Sequence, residues 1–213
     1  MKSFKRYITE SAIDDMVYGV PNTSYQERMD AKLEYFDESI YDLIKVGSPP
    51  SNSSQTTKDE IHHINSLEKD EELFYKYDDK FSYALFDYAS ENNLKYDQNK
   101  LNKIKKEASN VILHSKYHFN RPRPAQLAKV HGIELKHMKT ESGHTPSYPS
   151  SHAAQSRLLA LLIADDNPDH KDSLINIADE VAYSREVGGI HYPSDNEFGK
   201  KVADIMHGEL SKS

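Results

Sequence analysis

The chain has 213 residues, enough for one domain with a hydrophobic core, and its formal net charge of −7 argues against general nucleic-acid binding. It contains no cysteine, which excludes a disulfide framework and a thiolate metal site. No apolar stretch approaches the length of a membrane span, and the opening residues, MKSFKRYITESAIDD, lack the apolar segment of a signal peptide. We therefore expect a soluble, cytoplasmic protein with neither a membrane nor a nucleic acid as partner.

The first part of the chain predicts helices followed by a linker. Apolar side chains recur at helical spacing from about 7 to 46, with the best pattern in SYQERMDAKLEYFDESIYDLIK. The next stretch, GSPPSNSSQTT, is dense in Gly, Pro and Ser and predicts a loop. We divide the chain into an N-terminal helical segment, a loop or linker, and a main helical domain, at 1–46, 47–57 and 58–213. The pattern leaves open whether the first segment packs on the main domain.

The main domain also predicts helices. One or two are expected from Lys58 to Ser90, and another over about 97–117. The stretch 119–148 is interrupted by proline and glycine and is predicted as loops and short turns. Because strand-like alternation is missing, the predicted fold class is all-α. The remaining helices are expected at about 151–165, 169–187 and 194–210.

Polar residues suited to chemistry are concentrated after residue 115, in the blocks KYHFNRPRP, YPSSH and YSREVGGIHYPSD. Taken singly, the basic residues of these blocks are also typical of ion pairs and of helix C-termini. Taken together, and combined with the free N–H groups at the start of the helix after YPSSH, they can surround a tetrahedral oxyanion. The candidate cations of these blocks are Lys116, Arg121, Arg123 and Arg185.

Two histidines would supply the nucleophile and the proton donor that phosphoryl transfer needs. His191 and Asp195 are four residues apart, so a helical turn would place both on one face and let the carboxylate hold one ring nitrogen. Ser150 or Ser151 alone would be explained as the N-cap of the following helix, but a cap does not require His152. These patterns favour a phosphate site over a simple helix start.

The order and spacing of the three blocks resemble the pattern of the type 2 phosphatidic acid phosphatase and vanadium haloperoxidase superfamily. The likeness covers about 110–205, and the RPRP and SYPSSH blocks make it most similar to the soluble class A bacterial acid phosphatases. The pattern itself lies within 116–195. Its residues are Lys116, Arg123, Pro124, Pro149, Ser150, Ser151, His152, Ser184, Arg185, His191 and Asp195.

The resemblance implies a compact helical bundle with the active site at one end, formed by helix termini and loops. It implies that His191 attacks phosphorus to form a phosphohistidine, that Asp195 orients it, and that His152 protonates the leaving alcohol and then activates water. No metal or other cofactor is implied, because fixed cations and a helix dipole would stabilise the transition-state charge. The implied phosphate-binding residues are Lys116, Arg123, Ser150, Ser151 and Arg185, with Arg121 and Ser184 as possible supporting residues.

Ser151 departs from the pattern, since most members of the superfamily have glycine there. If the position requires a positive φ, serine would be strained by about 1 kcal/mol. If the residue begins the helix with ordinary dihedrals, serine costs little. We expect the site to survive with altered turnover or leaving-group preference.

The same residues leave three alternatives to a phosphatase. A haloperoxidase would hold vanadate, which is tetrahedral like phosphate, with His191 as its axial ligand. A non-catalytic protein would bind phosphate or another anion in the same cradle, although it would not need the two histidines. A metallohydrolase would use other histidines, such as His114 and His118 at helical spacing, but the Glu of the metalloprotease pattern is missing beside them.

The predicted substrate is a small soluble phosphate ester, with a nucleotide as one candidate. An unspecific phosphatase in a cytoplasm would degrade the nucleotides of its own cell. We therefore expect a narrow substrate range or a role in degrading host metabolites, as in a phage. Selectivity is expected from the N-terminal half and from 125–147, and an N-terminal arm would allow a homo-oligomer.

Overall fold

The computed structural model describes residues 9–140 and 142–212, and these residues form α-helices and no β-strand. The all-α prediction is confirmed. A short 3-10 turn, Pro168–His170, precedes the tenth helix. The helices are α1 (Glu10–Asp14), α2 (Thr23–Met29), α3 (Ile40–Ile44), α4 (Gln55–Ser66), α5 (Glu71–Asp78), α6 (Phe81–Glu91), α7 (Gln98–Phe119), α8 (Pro124–His131), α9 (Ser151–Asp165), α10 (Lys171–Val187) and α11 (Pro193–Leu210).

Helix α9 lies at the centre of the bundle because it is apolar on most sides, as expected for a helix buried in a core. It packs against α7, α10 and α11. Leu158 belongs to a core cluster with side chains of α3, α7 and α11, whereas Leu159 and Ile163 belong to a second cluster with side chains of α6, α7 and α10. The N-terminus of α9 is thereby fixed at one end of the bundle.

The continuous helical pattern predicted for the N-terminal segment is interrupted between α2 and α3. The cause is the buried carboxylate of Glu107 in α7. It accepts hydrogen bonds from three consecutive main-chain N–H groups, those of Glu34 at 2.8 Å, Tyr35 at 2.8 Å and Phe36 at 2.9 Å. Because these groups donate to a side chain, the local helical prediction fails over this stretch.

The described part of the N-terminal segment packs on the rest of the domain. Helix α3 contacts α7 and α11, and its Ile40 and Ile44 are buried in the first core cluster. The following loop is shorter than the predicted 47–57, because Ser54 caps α4 by accepting from the N–H of Thr57 at 3.2 Å. Residues 1–8 of the predicted helical segment lie outside the described residues.

Two further predictions need correction. Three helices, α4 to α6, occupy the region where one or two were expected. The stretch predicted as loops at 119–148 contains α8, which begins with Pro124, a residue tolerated at the first helical position, and ends at Gly132 with φ +70°. Proline and glycine here mark the two ends of a helix.

Four helix ends meet at one end of the bundle and carry the three sequence blocks. They are the C-terminal ends of α7 and α10 and the N-terminal ends of α9 and α11. Helices α9 and α11 approach closely at Gly199, where an added Cβ would lie 2.7 Å from the main-chain oxygen of Ser150. The fold therefore brings positive helix N-termini and basic side chains to the same place.

Candidate active site

The pair formed by His191 and Asp195 is fully enclosed. His191 precedes α11 and Asp195 lies in its first turn, where the carboxylate also accepts from the N–H of Tyr192 at 3.1 Å. His191 Nδ1 lies 3.0 Å from Asp195 Oδ2, and His191 Nε2 lies 3.0 Å from Nη1 of Arg123. The carboxylate can only accept and the guanidinium can only donate, so the proton sits on Nδ1 and the lone pair on Nε2.

Burial and charge keep this pair in one protonation state. Burial lowers the pKa of His191 well below its usual value, and the charge of Arg123 lowers it further. Burial alone would raise the pKa of Asp195, but the charge of Arg121 and the hydrogen bond from His191 outweigh it and hold the pKa well below its usual range. His191 is therefore neutral and Asp195 ionised.

Arg123 and Lys116 surround this histidine with positive charge. Arg123 is held from its Nε by the carbonyl of Thr145 at 2.8 Å and from Nη1 by the carbonyl of Ile190 at 2.9 Å. Lys116 Nζ donates to the carbonyl of Pro146 at 2.7 Å. Burial lowers the pKa of Arg123 to about 10 and lowers that of Lys116 well below its ordinary value. A bound anion would offset this cost of burying cations.

The serines of the second block lie at the start of α9. Ser150 is its N-cap, with its hydroxyl accepting from the N–H of Ala153 at 3.4 Å, and its own N–H donates to the main-chain oxygen of Asp195 at 2.9 Å. Ser151 is the first helical residue, and positive φ among non-glycine residues of the described chain occurs only at Asn93 and Asn120. Serine in place of glycine is therefore not strained.

A second set of contacts joins His152 and Arg185 through Asp78, the last residue of α5. Nη2 of Arg185 donates to Oδ1 of Asp78 at 2.6 Å, and Nε2 of His152 lies 2.7 Å from the main-chain oxygen of Asp78. The hydroxyls of Thr140 and Ser142 donate to the same carboxylate oxygen at 2.7 and 2.8 Å. Asp78 thus holds both residues with two different acceptor groups.

Arg185 has unused donors. Its guanidinium is fully buried, lying 4.5 Å from the ring centroid of Phe74, and neither Nε nor Nη1 has a hydrogen-bond partner among the described residues. Buried donors without partners are rare and costly. Together with the charges of Lys116 and Arg123, these two N–H-bearing atoms make the site suited to an anion.

The two sets of contacts act on one another electrostatically. Burial lowers the pKa of His152 to about 3, and the charges of Arg185 and Lys116 lower it too, against the opposing effect of its hydrogen bond to Asp78. Arg185 likewise lowers the pKa of Arg123. A dianion bound among these groups would raise both histidine pKa values.

Two predicted supporting residues lie in positions that the sequence did not indicate. Arg121 is buried and pairs with Asp195 at 2.7 Å and with Glu60 at 3.0 Å, so it is a buried ion-pair partner and not a surface residue. The hydroxyl of Ser184 donates to the carbonyl of Val181 at 2.7 Å within α10. The hydroxyl of Ser184 is therefore hydrogen-bonded within its own helix.

Residues 106–203 match the model of the PAP2 superfamily. This stretch, here called the PAP2 segment, is the part of the chain that is similar to that superfamily. Over 64 residues, 30% of this chain, the sequence is 36% identical to a non-specific acid phosphatase of Salmonella typhi. The match spans 26% of that protein, about a quarter of its length. The predicted resemblance is confirmed at the level of the superfamily.

Two solved structures share the fold of this chain. A bacterial vanadium-dependent chloroperoxidase superposes with a TM-score of 0.56 at 15% identity, covering 87% of this chain and 54% of that one. A bacterial vanadium-dependent iodoperoxidase superposes with a TM-score of 0.51 at 18% identity, covering 85% of this chain and 51% of that one. The likeness extends beyond the PAP2 segment into the N-terminal half.

The PAP2 segment contains every site residue predicted from the sequence, but Asp78, which contacts two of them, lies outside it. No sequence signal marked Asp78, because an acidic residue at the end of an acidic helix is typical of a solvated surface. Within the described ranges, no helix is long and apolar enough to cross a membrane. The same residues contain no group of three His, Asp or Glu side chains arranged to hold a metal ion.

Proposed function

We propose that this protein is an acid phosphatase-like phosphomonoester hydrolase that works through a phosphohistidine and needs no metal. The observation that carries the proposal is the state of His191. Its Nδ1 is held by Asp195 at 3.0 Å, and its Nε2 lone pair is directed at the buried guanidinium of Arg123. A neutral imidazole oriented by a carboxylate and placed among cations is the arrangement required of a nucleophile toward phosphate.

In the first step, Nε2 of His191 attacks phosphorus while the bond from phosphorus to the ester oxygen breaks. Arg123 Nη1 transfers its hydrogen bond from the histidine to a phosphate oxygen, which frees the lone pair. Arg185 Nε and Nη1 bind further oxygens, as do Lys116 and the N–H groups at the start of α9. The developing charge is met by groups that are already fixed in place.

His152 would act as the acid of this step and the base of the next. Its Nε2 faces a carbonyl oxygen of Asp78, which only accepts, so Nε2 keeps its proton and Nδ1 is the atom that exchanges protons. Nδ1 gives a proton to the leaving alcohol oxygen. It then takes a proton from the attacking water as the bond from phosphorus to His191 Nε2 breaks, which releases inorganic phosphate and restores both histidines.

A cavity beside Arg123 offers space for the leaving group. Its volume is about 290 Å³, and it is bounded by the loop that follows α8 together with Gly189 and Ile190. Lining residues include Met138, with an apolar side chain, and Lys139, with a charged one. This size fits a small phosphate ester, and the residues of 125–147 in its lining support the proposal that selectivity depends on that region.

The test is hydrolysis of p-nitrophenyl phosphate in EDTA by the wild type, by His191→Ala and by the control His207→Ala. His207 pairs with Asp165 at 2.9 Å far along α11 and serves as the matched histidine substitution. We expect turnover by the wild type and the control and none by His191→Ala. Acid-labile phosphate on a histidine should be trapped in the wild type. Loss of wild-type turnover in EDTA, or full activity of His191→Ala, would overturn the proposal.

A vanadate-dependent haloperoxidase is the second candidate, favoured by the fold shared with the two peroxidases. The free donors on Arg185 and the lone pair of His191 fit vanadate as they fit phosphate. Bound vanadate would supply activation of hydrogen peroxide for halide oxidation. This candidate would be favoured if the wild type oxidises bromide when it is supplied with vanadate and peroxide, and if it shows no phosphatase activity without vanadate.

A further inference from the structure

A buried chain of charges extends behind His191, away from the cations that surround its reactive nitrogen. Arg121 Nη1 donates to Oδ1 of Asp195 at 2.7 Å and to the hydroxyl of Ser194 at 2.8 Å. Arg121 Nη2 donates to Oε2 of Glu60 at 3.0 Å. The other oxygen of Glu60 accepts from the main-chain N–H of Ser194 at 2.7 Å. Glu60 lies in α4, outside the PAP2 segment.

The guanidinium of Arg121 is enclosed by two carboxylates and an aromatic ring. Its side chain is 0% exposed, that of Glu60 is 11% exposed, and that of Asp195 is 0% exposed. The ring centroid of Tyr192 lies 3.8 Å from the guanidinium carbon and closes a third side. Burial opposes the charge of Arg121, but the carboxylates outweigh burial and raise its pKa. The guanidinium is therefore charged and fixed.

We propose that Glu60 and Arg121 are positioning residues that set the orientation and the basicity of His191 through Asp195. Arg121 partly neutralises the charge of the Asp195 carboxylate, which would otherwise stabilise a second proton on His191. It therefore keeps the histidine neutral and able to attack. Glu60 holds Arg121 on the oxygen of Asp195 that His191 does not use, and it partly offsets the charge of Arg121. The proposal rests on the nucleophilic role assigned to His191 above.

The sign of each effect follows from charge. The titratable groups that act on His191 are Asp195, which raises its pKa, and Arg123 and Lys116, which lower it. Of the groups that act on Asp195, Arg121 is the one that also contacts Glu60. Tyr192 stays neutral because burial raises its pKa. Removing Arg121 should therefore raise the pKa of His191, and removing Glu60 should lower it.

The experiment measures the imidazole pKa of His191 by ring nitrogen NMR in the full chain. The variants are Arg121→Gln, Glu60→Gln and the double variant, which removes one positive and one negative charge and leaves the net charge of the protein unchanged. The control is Arg157→Gln, which removes the arginine of an exposed pair with Asp204. We expect the pKa of His191 to be highest in Arg121→Gln, lower in the double variant, lower again in the wild type and lowest in Glu60→Gln. The shift for Arg121→Gln should be about 1 pH unit upward.

Activity supplies a second readout. Arg121→Gln should lower kcat on p-nitrophenyl phosphate about 10-fold to 100-fold with a smaller change in KM, and Arg121→Lys, which keeps the charge, should recover part of it. A pKa of His191 that does not move in Arg121→Gln, or that moves in the opposite order, would overturn the proposal even if activity falls. The NMR measurement needs no turnover, so an inactive wild type would contradict the proposed function and leave this test intact.

Discussion

His152 Nε2 lies 2.7 Å from the main-chain oxygen of Asp78, the residue whose carboxylate accepts from Arg185 at 2.6 Å. One residue at the end of α5 thus fixes the ring of the proposed acid and one edge of the guanidinium proposed to bind phosphate. The carbonyl contact persists whatever side chain stands at position 78, whereas the carboxylate contact does not. The two halves of the chain are coupled at this point of the site.

Arg185→Lys should weaken phosphate binding. Lysine can still pair with Asp78, but it cannot offer the Nε and Nη1 donors that have no partner in the described structure. Since a hydrogen bond to a charged group contributes about 1.5–3 kcal/mol, we expect the dissociation constant of inorganic phosphate to rise more than about 10-fold. Calorimetric titration measures it, with Arg157→Lys as the control at an exposed pair. Unchanged phosphate affinity would exclude Arg185 from the anion site.

His152→Asn should make the enzyme sensitive to its leaving group. Asparagine cannot deliver a full proton to the departing oxygen, so an alkyl phosphate, whose alkoxide leaves poorly, should lose about 10²-fold to 10⁴-fold in kcat. The p-nitrophenyl ester should lose much less, because its phenolate leaves without a proton. Steady-state rates on the two esters give the comparison. An equal loss on both esters would count against a proton donor at this position.

Ser151→Gly introduces the residue of the superfamily pattern and should change little, in contrast to the altered turnover expected from the sequence. Ser151 has ordinary helical geometry at the start of α9, so glycine relieves no strain. We expect a loss of stability of at most about 1 kcal/mol and a change in kcat of less than about 3-fold. Urea denaturation and steady-state kinetics measure the two quantities. A large gain in kcat would mean that the serine hydroxyl hinders the substrate.

The helices were largely predictable from the sequence because burial imposes a period of 3.6 on apolar residues. The bounds predicted for α7, α9, α10 and α11 lie within two residues of the observed ones. The interruption between α2 and α3 was not predictable, because it depends on Glu107, more than seventy residues away. Local patterns do not reveal a carboxylate that binds main-chain N–H groups from another part of the chain.

The candidate site was also predictable from the sequence only in part. His191 and Asp195 are four residues apart, and the contact expected from a helical turn forms although His191 precedes α11. The pairing of Arg185 with Asp78 spans 107 positions, and that of Arg121 with Glu60 spans 61. Such acidic residues look like surface charges in a sequence with 34 Asp and Glu. Tertiary packing, not the motif, selects which of them are buried.

The value of kcat/KM should be highest at acidic pH and should fall as the pH rises. Burial and nearby cations hold the pKa of His152 at about 3, so in the free protein its Nδ1 carries no proton near neutrality. The proton for the leaving group then enters with the monoanionic substrate, whose second pKa is about 6. We expect kcat/KM to drop 10-fold per pH unit above that value, measured on an alkyl phosphate. A constant kcat/KM from pH 5 to about 9 would contradict the assignment of acid and nucleophile.

Gly199→Ala should damage both stability and activity. The added Cβ would lie 2.7 Å from the main-chain oxygen of Ser150 and 3.1 Å from Cβ of Ala153, so α11 must move away from the start of α9. Overpacking of this kind costs about 1–3 kcal/mol. The movement also stretches the 2.9 Å hydrogen bond from Ser150 to the carbonyl of Asp195, which displaces the orienting carboxylate from His191.

Gly208→Ala, in the same helix, is the matched control for that substitution. Its Cβ would meet nothing within 4 Å, so alanine should raise the free energy of unfolding by about 0.5–1 kcal/mol through helix propensity. Urea denaturation and kcat on p-nitrophenyl phosphate are measured for both variants. If Gly199→Ala were as stable and as active as Gly208→Ala, the close approach of α11 to Ser150 would not be what holds the nucleophile in place.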